Sequence, residues 1–271
     1  MANVYPFSER NCIERAALLW EQLRVKRPRV HCITNAAAQV FTANLLLAAS
    51  AIPSLTIAAE EVPFFVTQSA ALLVNLGTLD AERSASIPVA IATAQRAQKP
   101  WVLDPVFVES SPPRLQTAIR LLALEPTILR CNADEFEALS GVPFDAVSLA
   151  HFAQDKRVIM ALTGTIDHVT DGSRLAMIGN GHPVMRQTTA MGCAGTALIA
   201  AFAALDDDPL MAATGGLLVL GVAGEIAAAQ ANGPGSFVPA FLDTLAALTP
   251  EQLTKTARLT IADIPPVRVS S

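Results

Sequence analysis

Charge is scarce in this sequence. Lys, Arg, Asp and Glu make up 16% of its 271 residues, with 19 basic against 24 acidic, so the formal net charge is −5 with histidine neutral. Clustered basic residues, which nucleic-acid binding needs to displace counterions, are missing: the densest run, residues 24–29, holds four charges around Pro28. No nucleic-acid partner is expected, and so small an acidic excess suits a soluble protein without pointing to a partner. Long apolar runs are missing too. A spanning helix takes about 20 mostly apolar residues, whereas the uncharged stretch 30–59 is broken by Asn35, Gln39, Thr42, Asn44 and Pro53, and stretch 187–205 opens on Thr, Gly and Cys. No membrane association is expected. The four cysteines (Cys12, Cys32, Cys131 and Cys193) show neither CxxC spacing nor paired histidines at zinc-ligand separation. Reduced thiols follow, with Cys12, Cys32 and Cys131 as small buried hydrophobes. Residues 1–10, MANVYPFSER, lack the basic-then-apolar pattern of a secretory signal, so a cytoplasmic location is expected. Walker A, GxGxxG and GxSxG patterns are all absent.

What remains is strongly apolar. Hydrophobic residues reach 52%, too many for a disordered chain, and demand a large core. The excess suits a subunit interface, where obligate contacts resemble a core cut in half. Short β-branched runs at 29–33, 54–58, 71–75, 100–104, 127–130 and 157–162 alternate with helical stretches, the pattern of an α/β fold with a mostly parallel central sheet flanked by helices. A hairpin turning at Asp171-Gly172 joins 168–170 to 174–178, and residues 193–248 read as mainly helical. Asn11 and Asn132 are expected N-caps and Gly141 a helix stop, with Pro112-Pro113 and Gly233-Pro234-Gly235 as loops. The apolar pattern continues across both, so residues 1–271 are read as one domain with its core at about 28–248.

Ligands of open α/β sheets bind beyond the carboxyl ends of the strands, an edge towards which Asn75, Asp104, Arg130 and Thr163 all project. Residues 188–196, with Gly192, Ala194 and Gly195, lead into an apolar helix whose start is suited to an anion, although close helix packing accounts equally well for the small residues. Cys193 stands at that start, where the dipole is expected to lower the thiol pKa. Asp104 ends a strand, and Glu135 lies early in a helix, where it serves as a cap or helps hold Mg²⁺, an ion typically bound by one or two carboxylates plus phosphates and water. Two carboxylates and an arginine facing an anion-ready helix start suggest phosphoryl transfer.

In these residues the sequence resembles the hydroxyethylthiazole kinases, a family of the ribokinase-like superfamily. The likeness runs from about Val30 to Leu245: residues 30–35 (VHCITN) with 41–44, Asn75-Leu76-Gly77-Thr78-Leu79, Leu103-Asp104-Pro105-Val106 and Arg114. It continues through Arg130, Asn132 and Glu135, Leu162-Thr163-Gly164 with Asp167 and Asp171-Gly172, Gly192-Cys193, and residues 233–237. The resemblance implies a single-domain ribokinase-like αβα fold and Mg²⁺-requiring, ATP-dependent phosphorylation of the hydroxyl of 4-methyl-5-(2-hydroxyethyl)thiazole, in thiamine salvage. It also implies a homotrimer with active sites between subunits. By position, Arg130, Thr163, Gly192 and Asp171 would serve ATP and its phosphates, and Asp104 and Glu135 the metal. Cys193 would orient or deprotonate the substrate hydroxyl, and Asn35, Leu55 and Ala190 would line the thiazole pocket. The family usually carries GTGC where this chain has Ala190-Met191-Gly192-Cys193, and glycines at Phe107, Glu109 and Cys131. A bulky ring and a negative charge beside a phosphate loop are expected to change its backbone path or repel nucleotide. Two further readings fit parts of the pattern: a ribokinase-like kinase for another small alcohol, of hydroxymethylpyrimidine or pyridoxal type, and a divergent member that binds thiazole or nucleotide without catalysis.

Overall fold

Runs of Val, Leu and Ile too apolar to face water on either side become the strands of one sheet. The protein is described here as a computed structural model over residues 7–264. Six strands run parallel: β1 (Arg29–Ile33), β2 (Ile52–Ser54), β3 (Ala71–Asn75), β4 (Trp101–Asp104), β5 (Ile128–Cys131) and β6 (Ile159–Leu162). Three more, β7 (Asp167–Thr170), β8 (Arg174–Ile178) and β9 (Leu259–Asp263), extend the sheet antiparallel in the order β2-β1-β3-β4-β5-β6-β7-β8-β9. Because side chains alternate along a strand, Val30, Cys32, Leu73, Val102 and Ala161 enter one apolar cluster while Ile33, Leu72, Val74, Leu103 and Met160 enter another.

The first cluster is closed by α1 (Glu9–Lys26), α2 (Gln39–Ala48), α8 (Met191–Ala203), α9 (Pro209–Gln230), α10 (Pro234–Ala247) and α11 (Pro250–Thr256). The second is closed by α3 (Val62–Gln68), α4 (Ala81–Arg96), α5 (Pro112–Leu122), α6 (Ala133–Ser140) and α7 (Ala146–Lys156). The result is an αβα sandwich, as expected. With hydrophobic residues throughout and Glu225 as its single charge, α9 is long and apolar enough to cross a membrane; 78% of that span is buried within the protein, which makes it a core helix.

Most strands lie within two residues of their expected bounds, with instructive exceptions. β2 pairs as Arg29↔Ile52 through His31↔Ser54 and ends there, so residues 55–58, expected as strand, leave the sheet. An edge strand carrying Pro53, which lacks an N–H, is easily cut short. β9 was not expected; it pairs with β8 along its whole length. Ser8, not Asn11, caps α1, its hydroxyl accepting the Asn11 N–H. Pro112-Pro113 and Pro234, expected in loops, open α5 and α10 instead, at positions where a missing N–H costs nothing. Asn132 and Gly141 bracket α6 as expected, and Cys12, Cys32 and Cys131 are buried free thiols.

Leu198 of α8 is fully buried in the first cluster. Leu198→Ala is expected to cost about 2–5 kcal/mol, the usual range for a leucine cavity that neighbours cannot fill, read as a lower denaturant midpoint at unchanged slope.

Candidate active site

The strand order reverses where β1 and β3 lie side by side, the position at which open α/β sheets leave a crevice. Asn35 follows β1, Asn75 ends β3 and Asp104 ends β4, and buried hydrogen bonds link them. Asn35 Nδ2 donates to Cys193 Sγ (3.3 Å) and to Asn75 Oδ1 (3.0 Å), and Asn75 Nδ2 donates to Asp104 Oδ2 (2.7 Å). Asn35 Oδ1 accepts the Ala38 N–H and Asn75 Oδ1 also accepts the Gly77 N–H, so the orientation of both amides is determined. Gly77 is required here, since a Cβ on it would lie 2.8 Å from that of Asn35.

Asp104 is fully buried. Thr196 Oγ1 donates to its Oδ2 (3.0 Å), while Oδ1 has no hydrogen-bond partner and lies 3.7 Å from Arg130 Nη1. Burial pushes this carboxyl above its ordinary pKa, against the pull of Arg130, Thr196 and Asn75. Arg130, on β5, donates from Nη2 to Thr163 Oγ1 (2.7 Å) and lies against Gly192, where a Cβ would come within 2.8 Å of Nη2. Burial opposes its charge, but Asp104 and Glu135 outweigh burial and raise the guanidinium pKa further.

Glu135 completes a capping box on α6: Oε2 accepts the Asn132 N–H and Oε1 the Phe107 N–H, both at 2.9 Å. Phe107 and Val106 adopt left-handed conformations (φ 56° and 38°), and Ala190, the residue before α8, does the same (φ 67°). These are φ values that glycine adopts without steric cost, and here Phe107 and Ala190 hold them with side chains in place. Phe107, 61% exposed, lines the cleft with Val106, while Arg114 holds the loop through the Val106 carbonyl (2.7 Å). Glu109 lies outside the cleft lining, bonded to Ser110.

No side chain among the described residues caps α8. Its first turn opens on a cleft of about 820 Å³ lined by Arg130, Glu135, Thr163, Ala190, Gly192 and Cys193, together with Asp167 and the segment after β8. Burial, with Asp104 nearby, pushes the Cys193 thiol up to about 11, so the depression expected at a helix start is overridden.

Two candidates fall elsewhere. Asp171 does not line the cleft: it accepts from Ser173 and Arg174, and Arg174 in turn pairs with Asp208. Antiparallel β7 carries the chain from Asp167 at the cleft edge to Asp171 at the opposite edge, roughly 13 Å at 3.4 Å per residue. Asp167, whose Oδ1 accepts the Gly164 N–H (2.9 Å), is the aspartate of that motif in the cleft. Leu55 lines a second hollow of about 520 Å³ with residues 56–60, Glu82 and Ala85, beside edge strand β2. No group of three or more His, Cys, Asp or Glu able to hold a metal ion occurs among the described residues. The unpartnered Asp104 oxygen fits a cation whose other ligands are phosphate and water, the usual state of Mg²⁺.

The fold is ribokinase-like. It superposes on a ribokinase-like superfamily protein of Enterococcus faecalis with a TM-score of 0.63 at 15% identity, covering 84% of this chain and 89% of that one, a likeness of fold alone. Residues 20–251 match the Hydroxyethylthiazole kinase family, and the chain belongs to that family. It is 44% identical over 245 residues to a probable hydroxyethylthiazole kinase of Agrobacterium fabrum, spanning 90% of this chain and 94% of that one. A hydroxyethylthiazole kinase structure from Pyrococcus horikoshii superposes with a TM-score of 0.87 at 31% identity, covering 92% of this chain and 99% of that one.

Burial raises the Asp167 carboxyl to about 6. Between about pH 4 and 6 the folded state therefore holds a proton that the unfolded state has lost, so this group's contribution to stability falls as pH rises across that window. Asp167→Asn is expected to be more stable than the parent at pH 7, with the difference vanishing towards pH 4, in denaturant titrations at both values.

Proposed function

We propose that the chain transfers the γ-phosphoryl group of ATP to the hydroxyl of 4-methyl-5-(2-hydroxyethyl)thiazole. The observation that carries this reading is the buried chain Cys193–Asn35–Asn75–Asp104, which ends on a carboxylate facing Arg130 at an uncapped helix start. Arg130, Thr163 and the Gly192 main chain hold the phosphates, since a charged guanidinium beside free N–H groups matches an anion. Asp104 would hold Mg²⁺, with Glu135 behind it keeping the Phe107 loop and the α6 start in place. The ion would supply positive charge to offset that of the phosphates during transfer.

The substrate end is assigned to Cys193 and Ala190, which line the cleft, and to Asn35, buried behind them and bonded to the thiol. With a thiol pKa of about 11, Cys193 is neutral near pH 7 and has no standing thiolate to act as base. Its part is to orient the hydroxyl, held in place by Asn35. A loose phosphoryl-transfer transition state makes orientation worth more than early proton removal.

We read the described elements as one domain, because both apolar clusters pack on the same sheet. We also read the enzyme as cytoplasmic, where buried free thiols stay reduced, and as a homotrimer. Val40 and Leu47 of α2 and Phe64 and Phe65 of α3 are exposed around edge strand β2, next to the hollow at Leu55. A neighbouring subunit would cover that apolar rim and complete the thiazole pocket.

The test is phosphorylation of the thiazole alcohol with Mg-ATP, with loss of product in EDTA. Cys193→Ala is expected to lower kcat about tenfold at unchanged KM for ATP, the effect of one lost orienting contact of about 1–1.5 kcal/mol. A loss of about 10²–10⁴-fold would instead mark a general base. Light scattering at micromolar concentration is expected to give three times the chain mass; a monomer mass would remove the shared-site arrangement.

A further inference from the structure

Glu225 is the single formal charge in the 22 residues of α9, an otherwise apolar helix. Gly221 lies one turn before Glu225, and Gly224, three residues after Gly221, shares that glycine's side of the helix. A Cβ on Gly221 would lie 2.7 Å from the Asn180 carbonyl oxygen, and one on Gly224 would run into the Met185 sulfur. The two glycines thus let the segment that follows β8 lie directly on the helix. Glu225 then ties that segment down: Oε1 accepts the Gly181 N–H (2.8 Å) and Oε2 accepts from Asn180 Nδ2 (3.0 Å).

Arg258, just before β9, braces the arrangement. Its guanidinium pairs with both Glu225 oxygens and donates to the Gly179 carbonyl (2.6 Å), and its own N–H donates to Asn180 Oδ1 (2.6 Å). Partial burial raises the Glu225 carboxyl, but Arg258, Gly181 and Asn180 outweigh burial and hold it below its ordinary range, so it stays ionised near neutral pH.

Asn180, Gly181, His182 and Pro183 line the cleft, whereas Glu225 and Arg258 do not. β8 runs parallel to β6, so this segment leaves the sheet at the same edge as Asp104. It does so four strands away, roughly 19 Å at 4.8 Å per strand. At that distance it faces the part of an elongated nucleotide remote from the transferred phosphoryl group, not the alcohol beside Cys193.

We propose that Glu225, braced by Arg258, is a positioning residue for the nucleotide: it fixes residues 179–183 as the far wall of the cleft and so sets affinity for ATP without touching it. The inference rests on the kinase reading above.

Steady-state kinetics with Mg-ATP and the thiazole alcohol test it. Glu225→Ala is expected to raise KM for ATP about tenfold, the scale of one lost positioning bond. Its kcat should stay within about twofold and its KM for the alcohol unchanged. Glu225→Gln keeps an oxygen for the Gly181 N–H but sets its amide nitrogen against the Asn180 and Arg258 donors, so it should recover only part of the loss. A lower melting temperature with wild-type KM for ATP in Glu225→Ala would reduce Glu225 to a structural role and overturn the proposal. If Glu225→Ala does not fold, Arg258→Met takes its place, with a rise of about threefold in KM for ATP expected and an unchanged value overturning the proposal. Wild-type protein that fails to phosphorylate the alcohol overturns the kinase reading and this inference together. Active wild type with unaffected variants overturns the positioning role alone.

Discussion

A carboxylate taken fully out of water costs several kcal/mol unless its surroundings compensate, and Asp104 is such a group at the end of the central strand β4. Its compensation is drawn from three directions: the Asn75 amide on β3, the Thr196 hydroxyl on α8 and the Arg130 guanidinium on β5. Each tie also places something else. Thr196 lies three residues beyond Cys193, on the same helix face, so its bond to Asp104 sets the rotation of α8 and aims the thiol. Asn75 passes the constraint to Asn35, and Arg130 is seated by Gly192. One oxygen remains without a donor, which leaves the site prepared for a positive ligand.

Much of this was legible before any coordinates. Strands buried on both faces read as continuous apolar runs, so β1, β3, β4, β5 and β6 stood out, and the polar residues at their ends marked the site edge. What was not legible depended on pairing or environment. Where β2 stops is decided by its partner β1, and β9 is a five-residue strand whose partner β8 lies some eighty residues earlier. Asp167 and Asp171 look equivalent in sequence, yet one antiparallel strand sends Asp167 to the cleft and Asp171 to the opposite edge. A helix start argues for an acidic thiol, but only the surroundings show that burial wins at Cys193. Glu225 carried a visible signal, a lone charge in an apolar helix, that composition alone did not connect with the cleft.

Three residues around the cleft other than glycine hold left-handed conformations. Val106, Phe107 and Ala190 hold φ values that cost roughly 1–2 kcal/mol each for residues other than glycine. The surrounding bonds from Glu135 and Arg114 hold the loop in place. Such strain persists where the surroundings over-determine it, and it gathers at working sites. Phe107 is 61% exposed and lines the cleft beside Arg130 and Glu135, so its ring forms part of the wall there.

The brace at Arg258 has a consequence for the order in which the molecule can become competent during synthesis. The hydrogen-bond chain behind Cys193 begins at Asn35, whereas the segment after β8 is pinned by Arg258, more than two hundred residues later. A nascent chain on the ribosome can form the parallel sheet and the Asp104 cluster well before residue 258 emerges. Until then the segment after β8 lacks its brace and β8 lacks its last partner. Translation thus separates assembly of the Asp104 cluster from bracing of the wall formed by the segment after β8.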